Sequence, residues 1–320
     1  MTFVERSSVV FDVGQYETKF GHAGADLPSF VTSSILFEDQ DQLLTHVFKP
    51  STTVEIKEDC FDDLLDKAYG YLGLDASEHS LMIPDAPNNN KRAELMERLF
   101  EKVPALYFCC RPVLSTFHAA KTNALIVDVG HKQTTVCAVH EGYHIKKSVM
   151  TSPVAGEALS KYSLDMLKSE YQYEPYPALL VNKKPILEPG KLPDPSNRLA
   201  IDLNQKVKKH LQMDAIHVFK EHVFTANPYN PAQQQGRPFE FPDGFNKSFL
   251  KEQFIPELIF NPSSVSSEYP SLVKVIQDCY DECDNECKNL LPSNIVLTGG
   301  TASIPGFAER LEVLIIINIV

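Results

Sequence analysis

Two aspartates stand before glycine turns in the same local pattern, Asp12-Val13-Gly14 and Asp128-Val129-Gly130. Each follows a short apolar run, Ser7 to Phe11 in one case and Ala124 to Val127 in the other. After each turn the apolar alternation resumes, at Thr18, Phe20 and His22 and again at Thr134, Val136 and Ala138. Both segments therefore read as strand–turn–strand hairpins with a glycine at the turn. A third segment, Asn294 to Ala302, runs an apolar strand into Thr298-Gly299-Gly300-Thr301. Two successive residues without Cβ let another group approach the main chain closely. A unit repeated at domain-scale separation points to a duplicated architecture with one active cleft between two halves.

Other residues with chemical potential read as structural. Cys60, Cys109, Cys110, Cys137, Cys279, Cys283 and Cys287 contain no Cys-x-x-Cys pair, which fits reduced thiols in a cytosolic or nuclear protein. Cys279, Cys283 and Cys287 recur every four residues, so one helix would carry all three thiols on one face. A metal site would want a fourth ligand and a turn-type spacing; the cluster reads as core-facing. Lys206, Lys208, Lys209 and His210 read as the solvated face of a helix.

These motifs need elements to hold them. Asp62 to Leu72, Lys91 to Phe100, Pro112 to His118 and Ser160 to Tyr171 carry helical patterns, and Leu81-Met82-Ile83 reads as a buried strand. Twelve of the 22 prolines fall between Pro175 and Pro262, alongside Gln233-Gln234-Gln235. Long regular elements are few in such a stretch. The 320 residues favour two domains, and 43% hydrophobic with 22% charged residues is a globular composition. A formal charge of −12, from 42 acidic and 30 basic residues, excludes broad direct nucleic-acid binding through phosphate neutralisation. No apolar run is long enough for a membrane span, Met1 to Ser8 lacks the apolar core of a secretory signal, and there is no Trp.

With the three motifs in this order, the sequence resembles the actin family, within the wider superfamily of actins, sugar kinases and heat-shock ATPases. The first phosphate motif looks like Phe11 to Gly24, the second Asp128 to Tyr143, and the adenosine motif Asn294 to Arg310. The resemblance implies an α/β, actin-like (ribonuclease H-like, duplicated) fold with two halves around a nucleotide cleft. It also implies ATP and Mg²⁺ as cofactors. Each turn would present backbone N–H groups to phosphate oxygens, from Gly14, Gln15 and Tyr16 and from Gly130 and His131. Asp12 and Asp128 would hold Mg²⁺, mostly through waters. Lys19 would pair with the phosphates as a point charge, and Gly299, Gly300 and Thr301 would let the adenosine lie against the strand end. Simple turn chemistry is the alternative for each aspartate alone.

Departures from the family pattern carry more information than the matches. Gln15-Tyr16 stands where conventional actins have Ser-Gly. By alignment, Arg111 falls where actin has its catalytic glutamine, His131 where the second acidic residue stands, and Thr135 where a histidine lies near the attacking water. A guanidinium only donates hydrogen bonds and cannot orient a water as an amide does. No catalytic residue is therefore expected, and ATP would be bound with little or no hydrolysis. Arg111 forming a structural salt bridge and Tyr16 filling a closed cleft are compatible with the same outcome.

An aromatic after the first turn and a basic residue at the glutamine position resemble the nuclear actin-related class of chromatin-remodelling and histone-acetyltransferase complexes. Ser152 to Glu157, Phe239 to Asn246, Ile255-Pro256-Glu257 and Phe260 to Ser263 lean the same way. That class implies a nuclear structural subunit whose partners are monomeric actin and a helical scaffold segment, docked helix-in-groove. The alternative is a cytoskeletal, cytoplasmic actin-related protein with ATPase activity and filament association. The resemblance sets subdomains 1 and 2 at 1–118, with subdomain 2 at about 34–59. Subdomains 3 and 4 follow at 119–320, with subdomain 4 at about 156–259. Ile35 to Lys57 is rich in Glu38, Asp39, Asp41 and Gln42 and has no Gly or Met, which argues against actin-like polymerisation. Val313 to Val320 reads as a strand without a partner, and the resemblance implies that the family's C-terminal return to subdomain 1, which usually carries Trp, is missing.

Overall fold

The computed structural model describes residues 8–38, 43–48, 57–87, 89, 92–199, 205–226, 235–264 and 268–318. Among them the chain opens with strands β1 (Val9–Val13), β2 (Glu17–His22), β3 (Phe30–Ser33), β4 (Ile35–Glu38) and β5 (Leu43–His46). Helix α1 (Glu58–Leu72), strand β6 (Leu81–Asp85), helix α2 (Arg92–Phe100), strand β7 (Leu106–Cys110) and helix α3 (Arg111–His118) follow. Then come β8 (Ala124–Val129), β9 (Thr134–His140), β10 (Tyr143–His144), β11 (Met150–Ser152), α4 (Gly156–Tyr171) and α5 (Gln205–Val223). The order ends with β12 (Arg237–Glu240), β13 (Asn246–Phe249), α6 (Glu257–Phe260), α7 (Leu272–Asp281), α8 (Asn285–Lys288), β14 (Ile295–Thr298) and α9 (Phe307–Asn318). Mixed α/β architecture is as the sequence implies.

The chain divides into two compact units, neither of them continuous. One holds Met1–Ile126, Cys137–Val149 and Cys283–Val296; the other holds Val127–Val136, Met150–Glu282 and Leu297–Val320.

In the first unit, a five-stranded sheet has the order β3-β2-β1-β6-β7. β1 pairs antiparallel with β2, and β6 runs parallel to both β1 and β7. Val9, Phe11 and Val13 alternate onto one face, with Phe20, Leu81 and Ile83. They pack with Phe61, Leu64, Leu65 and Ala68 of α1 and Leu99 of α2. The Phe11 and Phe61 rings meet edge to face at 5.4 Å, a geometry aromatic pairs prefer. Helix α1 stops where Gly73 takes φ +66, and its N–H caps the carbonyl of Gly70. The opposite face of β1 is left to Val10 and Asp12. Of the acidic segment proposed as subdomain 2, residues 39–42 and 49–56 lie outside the described residues.

In the second unit, α4 packs against α5, and α5 against the β12–β13 hairpin. Phe219, Phe224, Phe241, Phe245 and Phe249 are buried together there. Pro242-Asp243-Gly244 turns the hairpin with Gly244 at φ +90, and the Tyr173 hydroxyl donates to Asp243 Oδ1 at 2.9 Å. Burial pushes the Asp243 carboxyl above the usual carboxylate range. The proline-rich stretch still contains the 19-residue α5, which has no proline. Gln233 and Gln234 lie outside the described residues.

Two sequence expectations need correction. Val313 to Val320 does not begin as a strand: α9 runs from Phe307 through Asn318. Phe307, Leu311 and Ile315 recur at helical spacing and are buried, while Ile316 and Ile317 are exposed. The β-branched run favours strands only weakly, and a buried helical face overrides it. Arg310 of the same helix pairs with Glu257, Nε to Oε2 at 3.0 Å, with a second bond from Nη2 to Oε1. Cys279, Cys283 and Cys287 are all buried as expected, but not on one helix: α7 ends at Asp281 and α8 begins at Asn285. No helix of the described residues is long and apolar enough to cross a membrane.

Candidate functional site

The first unit carries Asp12, Gly14, Gln15, Tyr16 and Lys19 on the β1–β2 hairpin. Gly14 N–H donates to Glu17 O at 3.0 Å and closes the turn. A Cβ at Gly14 would sit 2.5 Å from that carbonyl, so the turn requires glycine. Ser34 braces the turn from one side: its hydroxyl donates to Gly14 O at 2.6 Å and its N–H donates to Tyr16 O at 3.0 Å. Gln15 and Tyr16 are half-buried. Asp12 and Lys19 are direct cross-strand partners. They share the sheet face opposite Phe11 and Phe20, so the pleat brings an acid and a base together.

Arg111 reaches the same spot. It opens α3 directly after β7, and its Nη2 donates to Asp12 Oδ1 at 2.8 Å and to Val13 O at 2.7 Å. Its Nε is buried and has no hydrogen-bond partner among the described residues. The salt bridge that the sequence leaves open to Arg111 is observed, to Asp12.

The second unit repeats the turn. Gly130 N–H donates to Gln133 O at 3.1 Å, and a Cβ there would again crowd that carbonyl. Gly130 O accepts from Thr301 Oγ1 at 2.8 Å and from Gly156 N–H at 3.1 Å, while His131 O accepts from Glu157 N–H. Gln133 Nε2 donates to the hydroxyl of Thr135 at 3.1 Å. Gly299 has φ +97, and a Cβ on it would lie 2.4 Å from Val129 O and 2.6 Å from Asp128 Oδ1. The protein's own β8 thus uses the missing Cβ of Gly299. Gly300 faces open space within 4 Å of its Cβ position, so an approaching ligand is free to use that side. Asp128, Gly130, His131, Gly299, Gly300 and Thr301 are therefore one local cluster.

Two members of that cluster were not among the site residues read from the sequence. Gly156, at the start of α4, would place a Cβ 2.6 Å from Thr301 Oγ1. Lys220, buried on α5, donates from Nζ to Gly156 O at 2.9 Å. Burial lowers its pKa from 10.5 to about 8. Its only sequence signal is a lysine among the apolar positions of an amphipathic helix, here beside Ile216 and Phe219.

A family model described as Actin matches residues 4–316. The chain belongs to the actin family. Among curated relatives, the SWI/SNF and RSC complexes subunit arp42 of Schizosaccharomyces pombe is 29% identical, over 96% of this chain and 84% of the relative. Actin-related protein 4 of Arabidopsis thaliana is 25% identical over the same shares. Actin-related protein 4 of Schizosaccharomyces pombe is also 25% identical, over 96% of this chain and 83% of its own.

Actin-family membership brings expectations of nucleotide and a divalent cation, and the two fit the chain differently. In each unit a glycine turn could present N–H groups to phosphate oxygens, and in the second unit the open side of Gly300 leaves room for a ligand. A hydrated Mg²⁺ depends on uncompensated carboxylate charge. At Asp12 that charge is already met by the Arg111 guanidinium at 2.8 Å, and a dication there would lie against a fixed positive charge. The donor set at Asp12 does not fit the ion.

Proposed function

We propose that this actin-family chain is a non-filamentous nuclear structural subunit of a chromatin-remodelling or histone-acetyltransferase complex. In this reading it holds ATP as a structural ligand and hydrolyses it slowly or not at all. The observation that carries the reading is the Arg111–Asp12 pair. The resemblance to actin puts Arg111 at the glutamine position, and both donors of its Nη2 are committed to Asp12 and Val13. A side chain that only donates, and is locked in place, has no acceptor with which to orient an attacking water. Thr135, which the resemblance puts where actins have a histidine, carries only a hydroxyl that accepts from Gln133 Nε2 and has no imidazole to act as a base.

In this reading each unit's turn would offer backbone N–H groups to phosphate oxygens, at Gly14 to Tyr16 in one and at Gly130 and His131 in the other. Lys19 would add a phosphate cation, and Gly300 and Thr301 would face the adenosine. Relatives named for SWI/SNF and RSC complexes and as Actin-related protein 4 support the nuclear assembly. Partners in this reading are monomeric actin and a helical segment of a scaffold or remodelling ATPase. Purified chain mixed with ATP should bind it and release phosphate negligibly; turnover comparable to filament actin would sink the non-catalytic reading. Affinity capture with the intact chain from nuclear extract should recover remodelling subunits and actin, and recovery of cytoskeletal proteins alone would sink the nuclear one.

A further inference from the structure

We infer that this chain binds its nucleotide without a divalent cation, with the Arg111 guanidinium standing in for the metal ion at the Asp12 carboxylate. The inference rests on the nucleotide reading above and deepens it.

Three observations converge within the first unit. Arg111 Nη2 is fixed by two short bonds, to Asp12 Oδ1 at 2.8 Å and Val13 O at 2.7 Å. Charge-assisted bonds of this length hold the guanidinium at the entry of the Gly14 turn. The Nε–H of the same group is buried without a partner among the described residues. Arginine has five donors and no acceptor, and with the side chain 35% exposed the donors outside those two bonds are open to an anion such as a phosphate oxygen. Lys19 lies directly across the strand pair from Asp12. The face therefore sets Arg111 and Lys19 against Asp12 and Glu17, so its carboxylate charge is already balanced before any metal arrives.

A triphosphate needs that compensation, and in a magnesium-dependent site the ion supplies most of it. Here the ion would have to enter against Arg111 and Lys19 to reach a carboxylate already paired. The planar guanidinium fork matches phosphate oxygens and carries its charge at every pH of interest. Nothing in the chemistry of binding then requires Mg²⁺ at Asp12.

The test is equilibrium titration of the intact chain with ATP, by calorimetry, in magnesium-saturated buffer and in excess EDTA. The dissociation constants should agree within about threefold, a difference below 1 kcal/mol. The Arg111→Gln variant, checked for native folding by circular dichroism, should lose about tenfold or more in EDTA and recover on adding Mg²⁺. Wild-type binding that survives only with Mg²⁺ overturns the inference and leaves the nucleotide reading standing. Unchanged EDTA-insensitive binding by Arg111→Gln overturns the role of the arginine. No binding in either buffer overturns the nucleotide reading and this inference together. The wild-type comparison decides the point even where the variant does not fold.

Discussion

At the scale of single residues, the glycine turns are set by their immediate neighbours and the Arg111–Asp12 pair by the sheet. Asp12-Val13-Gly14, Asp128-Val129-Gly130 and Thr298 to Thr301 announce their turns through neighbours in sequence, because glycine demand at a turn is a local property. The Arg111–Asp12 pair joins residues far apart in the chain, across three strands of the sheet, and no spacing rule brings them together. Gly299 shows a subtler limit. The sequence marks a missing Cβ but not its beneficiary, which is the backbone of Val129 rather than a ligand. Lys220 was hidden because a lysine on a helix is normally solvated. Its burial makes a pH prediction. The unfolded pKa is near 10.5 and the folded one about 8, so between these values the unfolded chain binds more protons and stability rises with pH. The stabilisation is complete above 10.5 and is lost as pH falls through about 8. The size of the shift sets an upper bound on the order of 3 kcal/mol. Urea unfolding of the wild type and of Lys220→Met across that window should show the wild type gaining relative to the variant. Parallel pH curves would mean that Lys220 is solvated.

At the scale of elements, the chain's last helix separates two readings of one sequence. Val313 to Ile319 is a β-branched run, and propensity alone makes it a strand. A strand would place Ile315 and Ile317 on the same face, because side chains alternate. The helix instead buries Ile315 with Leu311 and Phe307 and leaves Ile317 outside. Ile315→Ala should therefore cost about 2–4 kcal/mol through transfer and cavity formation. Ile317→Ala should stay within about 0.5 kcal/mol, as surface substitutions do. Urea midpoints of the two variants give the answer, and equal losses would restore the strand. The sequence misled here because its signal was composition, whereas the Phe260–Phe307 contact at 4.7 Å and the Arg310–Glu257 pair that anchor the helix are tertiary. The same limit applies to α7 and α8, where a regular four-residue cysteine spacing spans a break in the helix.

At the scale of the whole molecule, the division into units has a consequence for how the chain must be made. The first unit includes Met1–Ile126, Cys137–Val149 and the distant Cys283–Val296. That last segment does more than fill space. Leu125 N–H donates to Asn294 O at 3.0 Å, and Lys121 Nζ donates to Asn294 Oδ1 at 2.6 Å. Val296 packs on the buried cluster of Val113, Ala124, Ile126 and Val139. A fragment ending at Val149 keeps every contiguous element of the unit but loses these partners. Leu125 would then exchange its bond to Asn294 for water, a loss of about 0.5–1.5 kcal/mol, and the cluster would lose its cover at Val296. Against a typical net stability of about 5–15 kcal/mol, shared over more residues, losses of that size remove cooperativity from a half-molecule. Expressed alone, 1–149 should be cut by trypsin after Lys121 and Lys132, on either side of β8, under conditions where the intact chain resists. It should also show no sharp urea transition. A fragment with the intact chain's resistance and a sharp transition would show that the first unit folds without its C-terminal segment, and that Asn294 and Val296 are passengers.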